Sequence, residues 1–145
     1  MRLTSFTDYA LRVLIFLGVH RGRLVQRAEI AGAFDISENH IGKVVHHLAK
    51  LGLILAKRGR GGGLSLATEP EQIVIGDVVR AFEPDFSIVE CFDAERNNCA
   101  ISPVCGLANI LDEAEQAFQG VLASYTLADV LNVRGRSQYK KLLGP

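Results

Sequence analysis

The sequence predicts a mainly α-helical chain with one small β-hairpin. Three observations carry this. Apolar residues recur at helical spacing through residues 4–18, 25–34, 38–51 and 75–83. One strand–glycine–strand run, LILAKRGRGGGLSLA, fills residues 53–67. A long stretch with an apolar stripe follows the last cysteine, Cys105.

Taken in order, Thr4 or Ser5 caps the first helix, and Asp8 sits in its first turn, where a negative charge suits the helix dipole. Gly18 and Gly22 bracket the turn after it. The second helix, VQRAEIAGAF, ends at the three-residue turn Asp35-Ile36-Ser37. Ser37 caps a third helix, ENHIGKVVHHLAKL, with Ile41, Val44, Val45 and Leu48 on one face. Two short helices joined by a tight turn, the second rich in polar and basic side chains, form a helix-turn-helix pattern. The hairpin after it has glycines that permit a tight turn and two arginines at its tip, as the wing of a winged helix does. Residues 75–83, IGDVVRAFE, form a helix that Pro84 stops, and residues 91–105 read as a loop broken by Asn97-Asn98 and Ser102-Pro103. Beyond it, Leu107, Leu111, Ala114, Phe118, Val121 and Tyr125 make a heptad stripe thickened by Ile110 and Leu122, which favours a dimer helix over packing on its own domain. The tail reads as a short helix and then loose chain. The divisions are 1–84, a winged helix-turn-helix domain; 85–106, a cysteine loop; and 107–145, a dimerisation helix and tail.

The 145 residues are 48% apolar, enough for one packed core, and their formal charge is zero. That zero hides an asymmetry. Residues 1–66 hold ten Lys/Arg against four Asp/Glu, a surplus of six, and residues 67–145 hold six against twelve. All four histidines lie in the basic part. A basic front half points to a polyanionic partner. On a recognition helix in the major groove, Ser37, Glu38, Asn39, His40 and Lys43 are the side chains that reach bases or phosphates. Arg58 and Arg60 of the wing suit an adjacent minor groove, and Gly61 permits close backbone approach. His46 and His47 are expected on the helix flank. No run reaches the roughly 18 apolar residues of a membrane span, and no signal cleavage site follows residues 10–19. A cytoplasmic location, with reduced thiols, is therefore expected.

The three cysteines, Cys91, Cys99 and Cys105, fall in CFDAERNNCAISPVC. Their odd number argues against a closed disulfide framework. The segment is too polar to bury three thiols as core filler, and it lacks the C-x-x-C pairs of structural zinc. Three soft thiolates in one loop suit an iron–sulfur cluster or another soft metal, with zinc or a thiol switch as the alternative. A catalytic thiolate would need a neighbouring base, and the histidines lie in the other half, so no enzyme is expected.

The opening MRLTSFTDYALRVLIFL, the wing RGRGGGLSLA, IGDVVRAFEP, the cysteine loop and YTLADVL occur in this order over residues 1 to about 132. Together they resemble the iron–sulfur winged-helix regulators of bacteria, and within them the repressors that sense nitric oxide. The resemblance implies a homodimer on a palindromic double-stranded DNA operator. It implies a cluster held by Cys91, Cys99 and Cys105, of the four-iron type with a two-iron type as the alternative. It further implies that Asp8 of the other subunit completes the ligand set, that Arg12 stands near the cluster, and that nitrosylation releases the repressor from DNA. IscR-like members have five residues in both cysteine gaps and a histidine shortly after the third cysteine. Here the first gap is seven and residues 106–110 hold no histidine. That gap, and Glu90-Cys91-Phe92, also suit RirA-like iron-responsive members, whereas FTDYALR and YTLADVL favour the nitric-oxide sensors.

Overall fold

The computed structural model describes residues 2–132 and 135–144. Its helices are α1 (Ser5–Val19), α2 (Arg27–Phe34), α3 (Glu38–Lys50), α4 (Ile75–Phe82), α5 (Gly106–Ala123), α6 (Leu127–Asn132) and α7 (Arg136–Leu143), with a hairpin of β1 (Ile54–Lys57) and β2 (Gly63–Leu66). No helix among the described residues is long and apolar enough to cross a membrane.

α1 is the central post. The Thr4 hydroxyl caps it by accepting the Thr7 N–H at 3.3 Å, and Ala10, Val13, Leu14 and Leu17 are buried along it. α3 lays Ile41, Val44, Val45 and Leu48 into the same core. α2 starts two residues later than the sequence predicts. Val25 is drawn into a two-way backbone bridge with Leu64 of the wing, 3.0 and 2.8 Å, so it cannot also open a helix. Gln26 then begins the helix, its N–H donating to Glu29 Oε1 at 2.7 Å.

β1 and β2 pair antiparallel from Ile54↔Leu66 to Lys57↔Gly63. The turn requires a glycine at position 62, because a Cβ there would stand 2.2 Å from the Lys57 carbonyl oxygen. Gly76 on α4 is another close approach. Its added Cβ would stand 2.8 Å from the Ala123 nitrogen and 2.9 Å from its Cα, at the end of α5. Backbone cannot swing aside as a side chain can. Gly76→Ala is expected to cost about 1–3 kcal/mol by overpacking, a fall of about 3–10 °C in thermal midpoint, read by circular dichroism.

The long helix departs from the expected single stripe. α5 ends at Ala123, so Tyr125 lies outside it and the heptad column is one member shorter. The apolar residues split into two neighbouring columns. Leu111, Phe118 and Leu122 are half-buried toward the chain's own body, whereas Leu107, Ile110, Ala114 and Val121 face outward. Leu107 is 59% and Ile110 63% exposed, and α5 buries no residue fully. One side of the helix packs on the chain's own body and the other is exposed.

The tail also differs from loose chain. α6 buries Leu127, Ala128 and Leu131. Its start, the TLAD of YTLADVL, is a capping pair in which Asp129 accepts from the Thr126 N–H at 2.8 Å and hydroxyl at 2.7 Å. Those bonds, the backbone one first, hold the Asp129 carboxyl below its ordinary 3.8. The stability they contribute is present above the ordinary value and is lost as pH falls through the folded one. α7 docks on the end of α1: Arg136 Nε donates to the Val19 carbonyl at 3.0 Å, and the buried His20 ring lies 3.0 Å from the Gly144 carbonyl.

Candidate functional site

Two candidate functional regions stand apart in the chain: α3 with the wing, and the cysteine loop. On the reading side, the Ser37 hydroxyl caps α3 by accepting the His40 N–H at 3.3 Å. Glu38, Asn39, His40 and Lys43 stand exposed on the first two turns, and Arg58, Arg60 and Gly61 are exposed at the wing tip. All of the expected residues, Ser37 included, are thus open to solvent. His40 also keeps a tie to the body, its ring 6.2 Å from that of Tyr9 in α1.

Sequence reasoning missed two residues here. His46 does not share the flank with His47. It shares a shallow groove with Glu38, Asn39, Gly42 and Lys43, one turn past Lys43. The signal was the helical spacing 39, 43, 46. Arg27, the first residue of α2, is the other: a Cβ on Gly42 would stand 3.1 Å from its guanidinium, so it lies across the face of α3. It also lines, with Lys57 and Arg58, the cleft between α2 and the wing. Only the packing of α2 on α3 puts it there. Arg27→Ala is expected to weaken specific and non-specific DNA binding alike and to reduce the slope of log affinity against log salt by about one, as loss of a phosphate contact does. Titrations by fluorescence anisotropy at several salt concentrations check it.

His47 does take the flank, turned away from that surface. Its ring meets Phe82 at 4.6 Å and Phe6 at 5.8 Å between centroids.

On the other side, α4 ends at Phe82 and hands over to the cysteine loop. Glu83, its C-cap residue, accepts from the Thr4 N–H at 2.8 Å and the Thr4 hydroxyl at 3.2 Å. The start of the loop is thereby clasped to the start of α1. The loop holds short 3-10 turns at Glu90–Phe92 and Ser102–Val104. It is shaped by its own polar side chains: Asn97 Oδ1 accepts the Cys99 N–H at 3.0 Å, and Asn97 Nδ2 donates to Ser102 Oγ at 2.9 Å.

Cys91, Cys99 and Cys105 are all free and half-buried. Cys105 is the N-cap residue of α5, an 18-residue helix with no acid in its first turn. The positive end of that helix suits an anionic group bound there. The donor chemistry therefore fits an iron–sulfur cluster. The three thiols and Asp8 do not form a ready group, since no three His, Cys, Asp or Glu among the described residues stand together to hold a metal ion. Asp8 is engaged elsewhere, in an ion pair with Arg12 at 2.7 Å that is 44% and 41% exposed at its two side chains. The Arg12 guanidinium also lies 5.7 Å from the centre of the Phe34 ring, at the end of α2.

A recognition helix, an arginine-tipped wing and a separate thiol loop define a winged-helix DNA-binding transcriptional regulator. The chain belongs to the Rrf2 family, described as iron-dependent transcriptional regulators, which residues 3–133 match. A relative from Bacillus subtilis named HTH-type transcriptional regulator NsrR is 52% identical over 144 residues, 99% of this chain and 97% of the relative. One of the same name from Geobacillus kaustophilus is 50% identical, covering 99% of this chain and all of that protein. Among solved structures, CymR, the global cysteine regulator of B. subtilis, superposes with a TM-score of 0.73 at 27% identity over 90% of this chain and 95% of that one. T. potens IscR does so with 0.74 at 25% identity, over 95% and 91%. The relatives are regulators, in accord with a chain that is not an enzyme.

Proposed function

We propose that this chain is a homodimeric cytoplasmic repressor that binds a palindromic operator and responds to nitric oxide through an iron–sulfur cluster of the four-iron type. The thiol loop carries the reading: three free cysteines, the last at the bare N-terminus of α5. The name of the B. subtilis and G. kaustophilus relatives supports the nitric-oxide branch of the family over the iron-responsive one.

Cys91, Cys99 and Cys105 hold the cluster on one subunit, and Asp8 of the partner subunit supplies the remaining donor. When bound, the cluster would supply iron that can react with nitric oxide, with Asp8 as the one hard ligand beside three soft thiolates. The rest is the work of the chain. The outward column of α5, Leu107, Ile110, Ala114 and Val121, pairs with its copy about a twofold axis. Asp8 lies one turn into α1, and α1 packs under α3. With Asp8 bound across the dimer, the two recognition helices keep the spacing of about one DNA turn that a palindrome demands. With Asp8 released it returns to Arg12, and the spacing relaxes. A coupling of about 3 kcal/mol corresponds to about 150-fold in operator affinity.

Anaerobic purification tests the reading. The expected result is a band near ~400 nm with about four iron and four sulfide per chain, bleached by nitric oxide. Zinc or no metal would shift the cysteines to a thiol switch. Loss of DNA binding on iron depletion, with no response to the gas, would mark an iron-responsive regulator.

A further inference from the structure

We infer that His47 is a positioning residue that passes the state of the cysteine loop to the recognition helix; the inference rests on the cluster reading above. His47 Nε2 lies 3.2 Å from the carbonyl oxygen of Ala81. Ala81 is in the last turn of α4, whose carbonyls have no amide partner within the helix. The imidazole N–H donates to it, which sets the tautomer with the proton on Nε2. A side chain of the reading head thus closes the end of the helix from which the loop departs.

The ring adds a second, directional tie. It stands edge-on to Phe82 at 4.6 Å and 76°, and to Phe6 at 5.8 Å and 64°, and the two phenylalanines lie 5.0 Å apart. Phe82 is the last residue of α4, before the loop that carries Cys91. Phe6 lies two residues before Asp8 on α1. Both routes from the ligand set, through the cysteine end and through the aspartate end, therefore meet at one side chain of α3. Thr4 and Glu83 clasp the two routes together just behind it. The other inward residues of α3 are the aliphatic Ile41, Val44, Val45 and Leu48, whose contacts have no preferred direction. A hydrogen bond with edge-to-face rings does have one. His47 can therefore register a small shift that the aliphatic core would absorb.

The test compares operator affinity of cluster-loaded and cluster-stripped protein, for the wild type, His47→Phe and His47→Gln. His47→Phe keeps a ring and loses the donor; His47→Gln keeps a donor and loses the ring. In the wild type the loaded form should bind about 100-fold tighter. In His47→Phe that ratio should fall below about 10-fold, while the absorption band, its bleaching by nitric oxide and the thermal midpoint stay near wild type. A purely structural His47 would weaken both forms equally and leave the ratio intact, which overturns the inference. A wild-type ratio near one overturns the cluster reading itself, and the inference with it. In the wild type, the His47 ring resonances should shift between the loaded and stripped forms. Their constancy would overturn the inference even if both variants failed to fold.

Discussion

Cys99→Ala should yield a colourless, folded protein whose operator affinity is lower by about 100-fold. The fold should survive because Cys99 is half-buried in a loop and its side chain serves no packing role in the core. Its N–H bond to Asn97 is a main-chain contact that alanine retains. Substitutions of this kind, away from core and caps, shift stability by about 0.5 kcal/mol or less. In the proposed dimer the loss falls on binding, because the loop would no longer hold Asp8 of the partner subunit and the ligand set would no longer space the two copies of α3. Anisotropy titration on the operator, beside a thermal melt, separates the two effects. An unchanged affinity with unchanged iron content would remove Cys99 from the ligand set.

In the proposed dimer, Ile110→Asp should leave monomer and abolish binding to the full operator. In a single chain Ile110 is 63% exposed on a helix that buries no residue fully, so the monomer fold loses little. In a twofold interface the change counts twice. Each copy forfeits about 1.5 kcal/mol of apolar burial and sets a carboxylate against an apolar partner. Together these amount to at least ~4 kcal/mol, or about a thousandfold in the dimer dissociation constant. A monomer holds one reading head, so the palindrome offers it a half-site only. Sedimentation at micromolar concentration reads the state directly. A dimer that persists would place the interface elsewhere.

The reading head was legible because its signals are local. A cap at Ser37, a three-residue turn, aliphatic spacing along α3 and a glycine-rich hairpin each act over a few residues, and all point to one arrangement. What escaped was settled by packing between elements. The stripe along α5 looked like one column, yet the sequence spacing cannot say which of two adjacent columns meets the chain's own body. Arg27 became part of the reading surface only because α2 lies against Gly42. Val25 left its expected helix because the wing offered its backbone a better partner. The separation of His46 from His47 needed no more than the helical angle between successive residues, which points them to different faces. In the loop, the sequence offers three thiols in a polar segment as candidate donors, whereas the Asp8–Arg12 pair is a contact that only the fold reveals.

The central claim is that nitric oxide acts on the ligand set and is read out at the operator. The most direct measurement follows operator affinity and the ~400 nm band together as anaerobic, cluster-loaded protein is titrated with nitric oxide. Loss of the band and a fall in affinity of about 100-fold over the same equivalents of gas is the predicted result. Bleaching that leaves the affinity unchanged would contradict the account, because the ligand set would then be altered without moving the recognition helices.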